Sequence, residues 1–208
     1  MHHDLHIRAA RPEDLVQISD LLTQLYAAEL PGALGGTHDK QAELLRFTLA
    51  AKNNQGLRHR YVLCDQNGTI LATAALDMPG EPAYERAPDG TIATALKVLG
   101  VGHTVRLLLT VARSMLVHPN ERPAGSALLH SVVVDEAIRG QGLGRVLMAE
   151  IEAKVRASGM TTIVLQVLVA NQPAHRFYQE LGYQPYWRSP SYLSALSWPI
   201  MMLRKEIA

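Results

Sequence analysis

Apolar residues along the chain alternate between helical spacing and short continuous runs, which predicts helices interleaved with strands. Strands are expected at 5–9, 60–64, 69–77, 127–134, 161–170, 183–188 and 199–207. Helices are expected from residue 12 onward and at 38–51, 142–157 and 173–181. The Asn67-Gly68 pair between two apolar runs is typical of a hairpin turn. The order predicts a mixed α/β domain built on one central sheet.

Segment 78–125 interrupts this order. It begins and ends with stretches rich in proline and glycine, at 79–90 and 119–125. Two helices are predicted between them, near 91–99 and 103–117, each with apolar residues at helical spacing. A segment this short cannot bury a core of its own. We therefore expect one domain spanning 1–208, with 78–125 as a helical insertion.

Composition narrows the class of protein. The chain has 208 residues, 48% of them hydrophobic, and a net charge of +1. This near balance of charges does not indicate a nucleic-acid or anionic-membrane partner. The lone cysteine, Cys64, cannot form a disulfide within the chain, and no run is long enough to span a membrane. A cytoplasmic protein is expected, and a homodimer is left open.

A glycine-rich loop follows the apolar strand at 127–134. It reads Arg139-Gly140-Gln141-Gly142-Leu143-Gly144 and leads into an amphipathic helix. Glycine lets a ligand approach the backbone closely, and the first amides of a helix have no internal partner. Together with the helix dipole, these features favour a phosphate group. A glycine-rich turn without any ligand stays an alternative.

Two common phosphate ligands are disfavoured by features that the loop lacks. A P-loop would need Gly-Lys-Ser/Thr, but Gly144 is followed by Arg145-Val146. A dinucleotide fingerprint needs G-x-G-x-x-G and an acid after the next strand, whereas this loop is one residue short and Asn171 stands there. The loop therefore does not favour ATP or NAD.

With its neighbours, the loop resembles a motif of the GNAT acetyltransferases, in which Arg/Gln-x-x-Gly-x-Gly/Ala follows a strand. Here the strand ends in Val132-Val133-Val134. Segment 171–183 resembles the family's Asn-x-x-Ala-x-x-Phe-Tyr-x-x-Leu-Gly-Phe/Tyr pattern, and 7–14 resembles its first strand and helix start. The resemblance implies a mostly antiparallel, mixed sheet of about seven strands flanked by helices. The helical insertion would lie between the third and fourth strands.

The resemblance also implies a function, an acetyl-CoA-dependent N-acetyltransferase, and a set of site residues. The strand backbone would bind the pantetheine arm, the loop amides would hold the pyrophosphate, and Asn171 would hydrogen-bond the co-substrate. Tyr178 would lie beside the thioester sulfur as the proton donor, with an ordinary pKa of about 10. The residues implied for acetyl-CoA are Val132, Val133, Val134, Arg139, Gly140, Gln141, Gly142, Leu143, Gly144, Arg145, Asn171 and Tyr178.

His130 is the candidate base. It stands four residues before Val134 on the same strand, so the two are expected to share a face. Its intrinsic pKa suits proton removal near neutrality. The other candidates are Asp135, Glu136, His118 and Glu121. No Cys/His cluster has zinc-like spacing, so no metal is expected. Direct transfer in a ternary complex is favoured over a covalent route through Cys64.

The acceptor is expected to be an amine on a small molecule, under the cover of the insertion. Residues that could line its site are Tyr26, Glu29, Glu81, Tyr84, Glu85, Tyr192 and Trp198. A cationic amine can bind against such aromatic and acidic groups. A non-catalytic acyl-CoA-binding or regulatory module with the same fold is the alternative function.

Overall fold

Seven strands form a single sheet in the computed structural model, which describes residues 5–30, 32–81, 87–115, 122–193 and 197–207. The strands are β1 (His6–Ala9), β2 (Arg60–Cys64), β3 (Ile70–Asp77), β4 (Ser126–Val134), β5 (Thr162–Leu168), β6 (Gln184–Arg188) and β7 (Ile200–Glu206). Their order across the sheet is β1-β2-β3-β4-β5-β7-β6. β4 and β5 run parallel, and the other neighbouring pairs run antiparallel. The expected mixed, mostly antiparallel sheet is confirmed.

Six helices accompany the sheet in the described part of the chain. They are α1 (Leu15–Glu29), α2 (His38–Asn54), α3 (Thr91–Leu99), α4 (Val101–Met115), α5 (Leu143–Ala157) and α6 (Gln172–Glu180). Regular helical geometry in α2 stops earlier, because Ala51 is extended and the next residues are left-handed. The predicted ends of strands and helices agree with the observed ones to within three residues.

Each face of the sheet carries a separate apolar core. On one face α5 buries Leu147, Ile151 and Val155, whose spacing of four residues places them on one side of the helix. On the other face α1 and α2 bury residues such as Ile18 and Leu49 against the sheet. The sheet therefore separates an α5 face, which α6 also joins, from an α1–α2 face.

The insertion between the third and fourth strands consists of α3 and α4, as expected. α3 packs on Leu44 of α2 through Ala95, Val98 and Leu99. α4 adds only the half-buried Leu107 to this small cluster. None of the described helices is long and apolar enough to cross a membrane.

A buried ion pair joins β1 to the start of α1. The guanidinium of Arg8 donates to both carboxylate oxygens of Asp14, at 2.6 and 2.8 Å, and the Arg11 amide donates to the same group at 2.7 Å. Asp14 is only 3% exposed. The hydrogen bonds from Arg8 lower the pKa of Asp14, with a further contribution from the Arg11 amide. The ionised carboxylate is thus the form that the fold stabilises.

Replacing Asp14 with asparagine should therefore destabilise the fold by on the order of 2 kcal/mol at neutral pH, because two charge-assisted bonds are lost. Since the folded state lowers the pKa, the contribution is present above the unfolded value and disappears as the pH falls through the folded one. Urea unfolding of both proteins at neutral pH and near pH 3 measures this. Glu13→Gln is the control, since its exposed contact with Arg11 is 3.8 Å long and worth little.

Candidate active site

β4 and β5 pair only over the first half of their length. Their parallel register runs from Ser126↔Thr162 to Leu129↔Leu165 and includes no later pair. Beyond Leu129, β4 continues along β3, whereas β5 continues along β7. The two central strands therefore diverge and leave an opening in the middle of the sheet, with backbone groups of β4 along one side.

The amide of Val134 faces this opening. Val134 lies opposite Ala72 of β3, and the next amide, that of Asp135, donates to the Leu71 carbonyl at 2.9 Å. Successive residues of an antiparallel strand direct their backbone groups to opposite edges. Because Asp135 bonds toward β3, Val134 must present its amide to the side of β5. This is the geometry expected for a strand end that binds an extended ligand.

The glycine loop joins the end of β4, beside the opening, to α5. Gly140 and Gly142 both have a φ of +81°, a conformation that residues with side chains rarely adopt, and a methyl group on either would meet open space. Gly142 is the residue before the first turn of α5. Among the described residues, no hydrogen bond uses the amides of Gly142, Leu143 or Gly144. These amides form a site suited to a phosphate group.

Two arginines of the loop have protein partners. The Arg139 side chain donates to the Val134 carbonyl at 3.0 Å and so braces the strand end against the loop. The Arg145 guanidinium pairs with Glu180 of α6, and the Arg145 amide donates to the Gly142 carbonyl. The free amides at the start of α5 are therefore the stronger phosphate candidates.

Gly144 allows α5 and α6 to approach closely. A Cβ atom at this position would lie 3.2 and 3.3 Å from two ring carbons of Phe177 and 3.7 Å from Val134. The ring of Phe177 in turn packs edge-on against that of Tyr178, with centroids 5.1 Å apart. The third glycine of the loop thus helps to position α6 and the tyrosine that it carries.

Tyr178 is held in an apolar setting. Its ring also packs against Tyr183, at 5.6 Å between centroids, and the side chain belongs to the core on the α5 face. Burial raises the pKa of Tyr178 far above its ordinary value, and the negative charge of Glu29 at the end of α1 raises it further. The phenol therefore stays protonated at any physiological pH.

Asn171 begins α6. Its side-chain oxygen accepts the amide of Ala174 at 3.2 Å, which satisfies one of the amides exposed at the helix start. His175, one turn further on, bonds the Leu168 carbonyl at the end of β5 at 3.1 Å. The histidine contact attaches α6 to the end of β5. The side-chain nitrogen of Asn171 can still donate a hydrogen bond to a ligand.

His130 does not share a face with Val134, and the expectation that it would is wrong. Ser131 has a φ of +54°, and three residues of β4 span the distance that two residues of β3 span between Ala75↔His130 and Thr73↔Val133. This bulge adds one residue and reverses the alternation of side chains. Leu129 and Val134 therefore contact the α5 face, and His130 points to the α1–α2 face.

The His130 ring lies between two polar side chains. Its Nδ1 is 2.9 Å from the Ser131 hydroxyl, and its Nε2 is 3.4 Å from a carboxylate oxygen of Asp77 at the end of β3. The histidine and aspartate side chains are 9% and 12% exposed. A carboxylate at this distance orients an imidazole and stabilises its protonated form. The sequence did not single out Asp77, although it is the last residue of a predicted strand.

The other candidate bases and the cysteine have different settings. Asp135 accepts the amide of Ala137 and caps a short 3₁₀ turn, and Glu136 is exposed. Cys64 is fully buried, and burial raises the pKa of its thiol, which makes it a poor nucleophile. His118 and Glu121 lie outside the described residues.

α4 runs across the α1–α2 loop toward the segment before β7. The His103 ring lies against Gly35 and the Arg106 guanidinium against Gly32, so that a Cβ atom on either glycine would overlap them. At the other end of α4, the Arg113 guanidinium stacks on the Trp198 ring at 4.6 Å. The insertion thus reaches both the loop after α1 and the segment before β7.

The remaining acceptor candidates are dispersed. Glu81 pairs with Arg58 and His59 near the start of β2, and Tyr192 is 78% exposed. Tyr84 and Glu85 lie outside the described residues. Of the predicted set, Glu29 is the one whose charge acts on Tyr178. Within the described ranges, no group of three acidic, histidine or cysteine side chains could hold a metal ion.

This architecture is similar to that of known proteins. A family model described as the acetyltransferase (GNAT) family matches residues 20–183. Comparison with curated proteins finds no significant match.

Several solved structures are similar to the chain in fold. One described as an acetyltransferase has a TM-score of 0.63 at 22% identity and covers 98% of this chain and 100% of its own. The structure of yncA from Salmonella typhimurium with its cofactor acetyl-CoA has a TM-score of 0.57 at 16% identity, over 98% and 94%. The paia N-acetyltransferase from Thermoplasma acidophilum in complex with coenzyme A has a TM-score of 0.59 at 12% identity, over 98% and 99%. At such low sequence identities, these TM-scores show a common fold.

A methyl group at Gly144 should move α6 and with it Tyr178. We expect Gly144→Ala to weaken binding of coenzyme A by about tenfold, that is about 1.4 kcal/mol, because the added carbon meets the Phe177 ring. Isothermal titration with coenzyme A measures this. Gly102→Ala is the matched control, since Gly102 has free space around it and stands in a helix, where alanine is favoured. Equal affinities for the two variants would contradict the role assigned to Gly144.

Proposed function

The chain belongs to the GNAT acetyltransferase family, and we propose that it transfers an acetyl group from acetyl-CoA directly to an amine on a small molecule. The observation that carries this proposal is the divergence of β4 and β5 beside a helix start with free amides. An extended pantetheine arm needs a backbone edge, and a pyrophosphate needs unpaired donors. Both lie within one short stretch of chain, from Val132 to Gly144.

The residues present fit the co-substrate along its length. Val132 and Val134, on the same side of the bulge, offer backbone groups to the pantetheine amides, with Val133 held in the opposite core between them. The amides at Gly142, Leu143 and Gly144 hold the pyrophosphate. Asn171 supplies a further hydrogen bond through its side-chain nitrogen. Bound in this way, acetyl-CoA supplies the activated acyl group.

The Val134 amide is the group that polarises the thioester carbonyl. Its direction into the opening is set by the strand pairing of its neighbour Asp135, and not by a flexible side chain. A fixed donor aimed where negative charge develops on the carbonyl oxygen stabilises the transition state without reorganisation. The hydrogen bond from Arg139 to the Val134 carbonyl holds the following peptide unit in place.

Tyr178 acts on the leaving sulfur as a hydrogen-bond donor. Its raised pKa makes complete proton transfer to a thiolate unfavourable, because an ordinary thiol is a much stronger acid than this phenol. A donor that stays protonated can nevertheless stabilise the negative charge on sulfur throughout the reaction. The proton that the thiolate finally takes comes from the amine as it is acylated, or from water.

His130 is the base that takes a proton from the incoming amine. The bulge directs it to the α1–α2 face, where Glu29, His103 and Arg106 surround the loop after α1. An acceptor that enters from this face meets the imidazole before it reaches the thioester. Asp77 positions the ring and stabilises the imidazolium that forms.

The acceptor is confined by α4. Because this helix contacts both the α1–α2 loop and Trp198, it covers the approach between them. A covered approach admits a small molecule more readily than a folded protein. A thiol-release assay with acetyl-CoA tests the proposal across amines, amino acids, aminoglycosides and peptide N-termini. Absence of turnover with all of them, together with tight coenzyme A binding, would favour a non-catalytic acyl-CoA-binding module.

We expect Tyr178→Phe to lower kcat by about a hundredfold with little change in coenzyme A affinity, because only the donor to sulfur is removed. Single-turnover kinetics with the best amine of the panel measure this step. Since the pKa of Tyr178 is raised, the wild-type rate should not fall between pH 8 and about 10, where an ordinary tyrosine would ionise. Unchanged turnover in Tyr178→Phe would remove the tyrosine from the mechanism.

His130→Gln should lower kcat/KM by about a hundredfold at neutral pH, through loss of the base. Asp77→Asn should have a smaller effect on kcat/KM, because it weakens the contact that orients the imidazole without removing the ring. Glu136→Gln is the control and should match wild type. A large loss of activity in Glu136→Gln with none in His130→Gln would show that His130 is not the base.

A further inference from the structure

The insertion presents many large apolar side chains to solvent. Ten large hydrophobic side chains are exposed in the described part of the chain, and eight of them lie on α3 and α4. We call this surface the apolar face of the insertion. It comprises Ile92, Leu96, Val101, Val105, Leu108, Leu109, Val111 and Met115.

The side of α4 that meets the protein is mostly polar. Thr104 and Thr110 are its buried residues, and Leu107 is its contact with the neighbouring apolar cluster. An amphipathic helix normally turns its apolar stripe inward. Here the stripe points outward, so the described part of the chain leaves it without a partner.

The size of the apolar face matches one half of a stable protein interface. At exposures from 39% to 71%, the eight side chains present on the order of 800 Å² of surface, which is the share that each partner gives to a standard interface. The largest apolar patch on a typical monomer is about 300–600 Å². A surface of this extent is expected to be covered in solution.

The spacing along α4 indicates what covers it. Val101, Val105, Leu108, Ala112 and Met115 follow one another at intervals of four, three, four and three residues. This is the seam of a coiled coil, in which each side chain inserts between side chains of a second helix. The seam therefore fits another helix of the same kind.

The cations of α4 argue against a lipid surface as the occupant. A helix that lies on an anionic membrane carries Lys and Arg beside its apolar face and directed toward the lipid. Arg106 and Arg113 are instead folded onto Gly32 and Trp198 of the same chain. Tryptophan and tyrosine, which favour a membrane interface, are absent from 91–115.

We propose that the apolar face of the insertion is a dimer interface, in which the α4 seam packs on the α4 seam of a second copy of this chain. A two-fold axis makes the same patch face itself, so one seam supplies both halves. Leu108 is the middle residue of the seam and lies beside its own counterpart. α3 contributes Ile92 and Leu96 at the edge of the interface.

The oligomeric state of the full chain is the first test. Light scattering coupled to size exclusion should give twice the 22.8 kDa of the chain for wild type. Val105→Glu combined with Leu109→Glu should give a monomer, because both positions are exposed in the single chain and tolerate a charge there. Circular dichroism and coenzyme A binding, unchanged in the double variant, verify that it folds.

Cross-linking locates the contact without disturbing the face. Leu108→Cys should form a disulfide-linked dimer in high yield under mild oxidation. The native Cys64 is fully buried and does not interfere. Lys97→Cys is the matched control, since it is exposed on α3 away from the apolar face and should not cross-link. Both variants preserve the charges of α4.

Three results would overturn the proposal. The first is a wild-type protein that is monomeric and whose Leu108→Cys variant does not cross-link. The second is a dimer that survives Val105→Glu with Leu109→Glu, since the interface would then lie elsewhere. The third is a monomer that co-sediments with phosphatidylserine vesicles through these two residues, which would make the face a membrane-binding surface.

Discussion

Every amide inside a sheet needs an acceptor, and the divergence of β4 from β5 leaves that of Val134 directed at an opening. The rest of the site depends on this one unpaired edge. The glycine loop and α5 follow within ten residues, so the free amides at the helix start lie at one end of the same opening. Tyr178 enters from the α5 face, and His130 points to the other face. In the proposed function, a ligand that satisfies the strand edge would lie between both.

The bulge at Ser131 determines which chemistry each face carries. After the bulge, Val132 and Val134 pack on the α5 core, whereas His130 before it lies on the opposite face. There the imidazole reaches Asp77, and both side chains are largely buried. One left-handed residue thus separates the apolar support of the strand from the polar group on its other face.

Much of this arrangement could be predicted from the sequence, because apolar periodicity sets the elements and the glycine spacing excludes ATP and NAD. Two properties could not. A bulge at a serine leaves no sequence signal, since glycine is the residue expected at positive φ and simple alternation predicted the wrong face for His130. The pKa of Tyr178 is raised by burial and then by the charge of Glu29, and only the fold buries the tyrosine and brings Glu29 close to it.

Periodicity shows which residues share a face of a helix, but not what that face contacts. The stripe on α4 is as regular as the one on α5, yet α5 buries its stripe in the sheet and α4 exposes its own. On another side of α4, the guanidinium groups of Arg106 and Arg113 lie against Gly32 and Trp198. The cations of α4 thus lie on the side of these contacts, and its exposed apolar residues lie on the opposite side. The proposed dimer would remove this apolar surface from water.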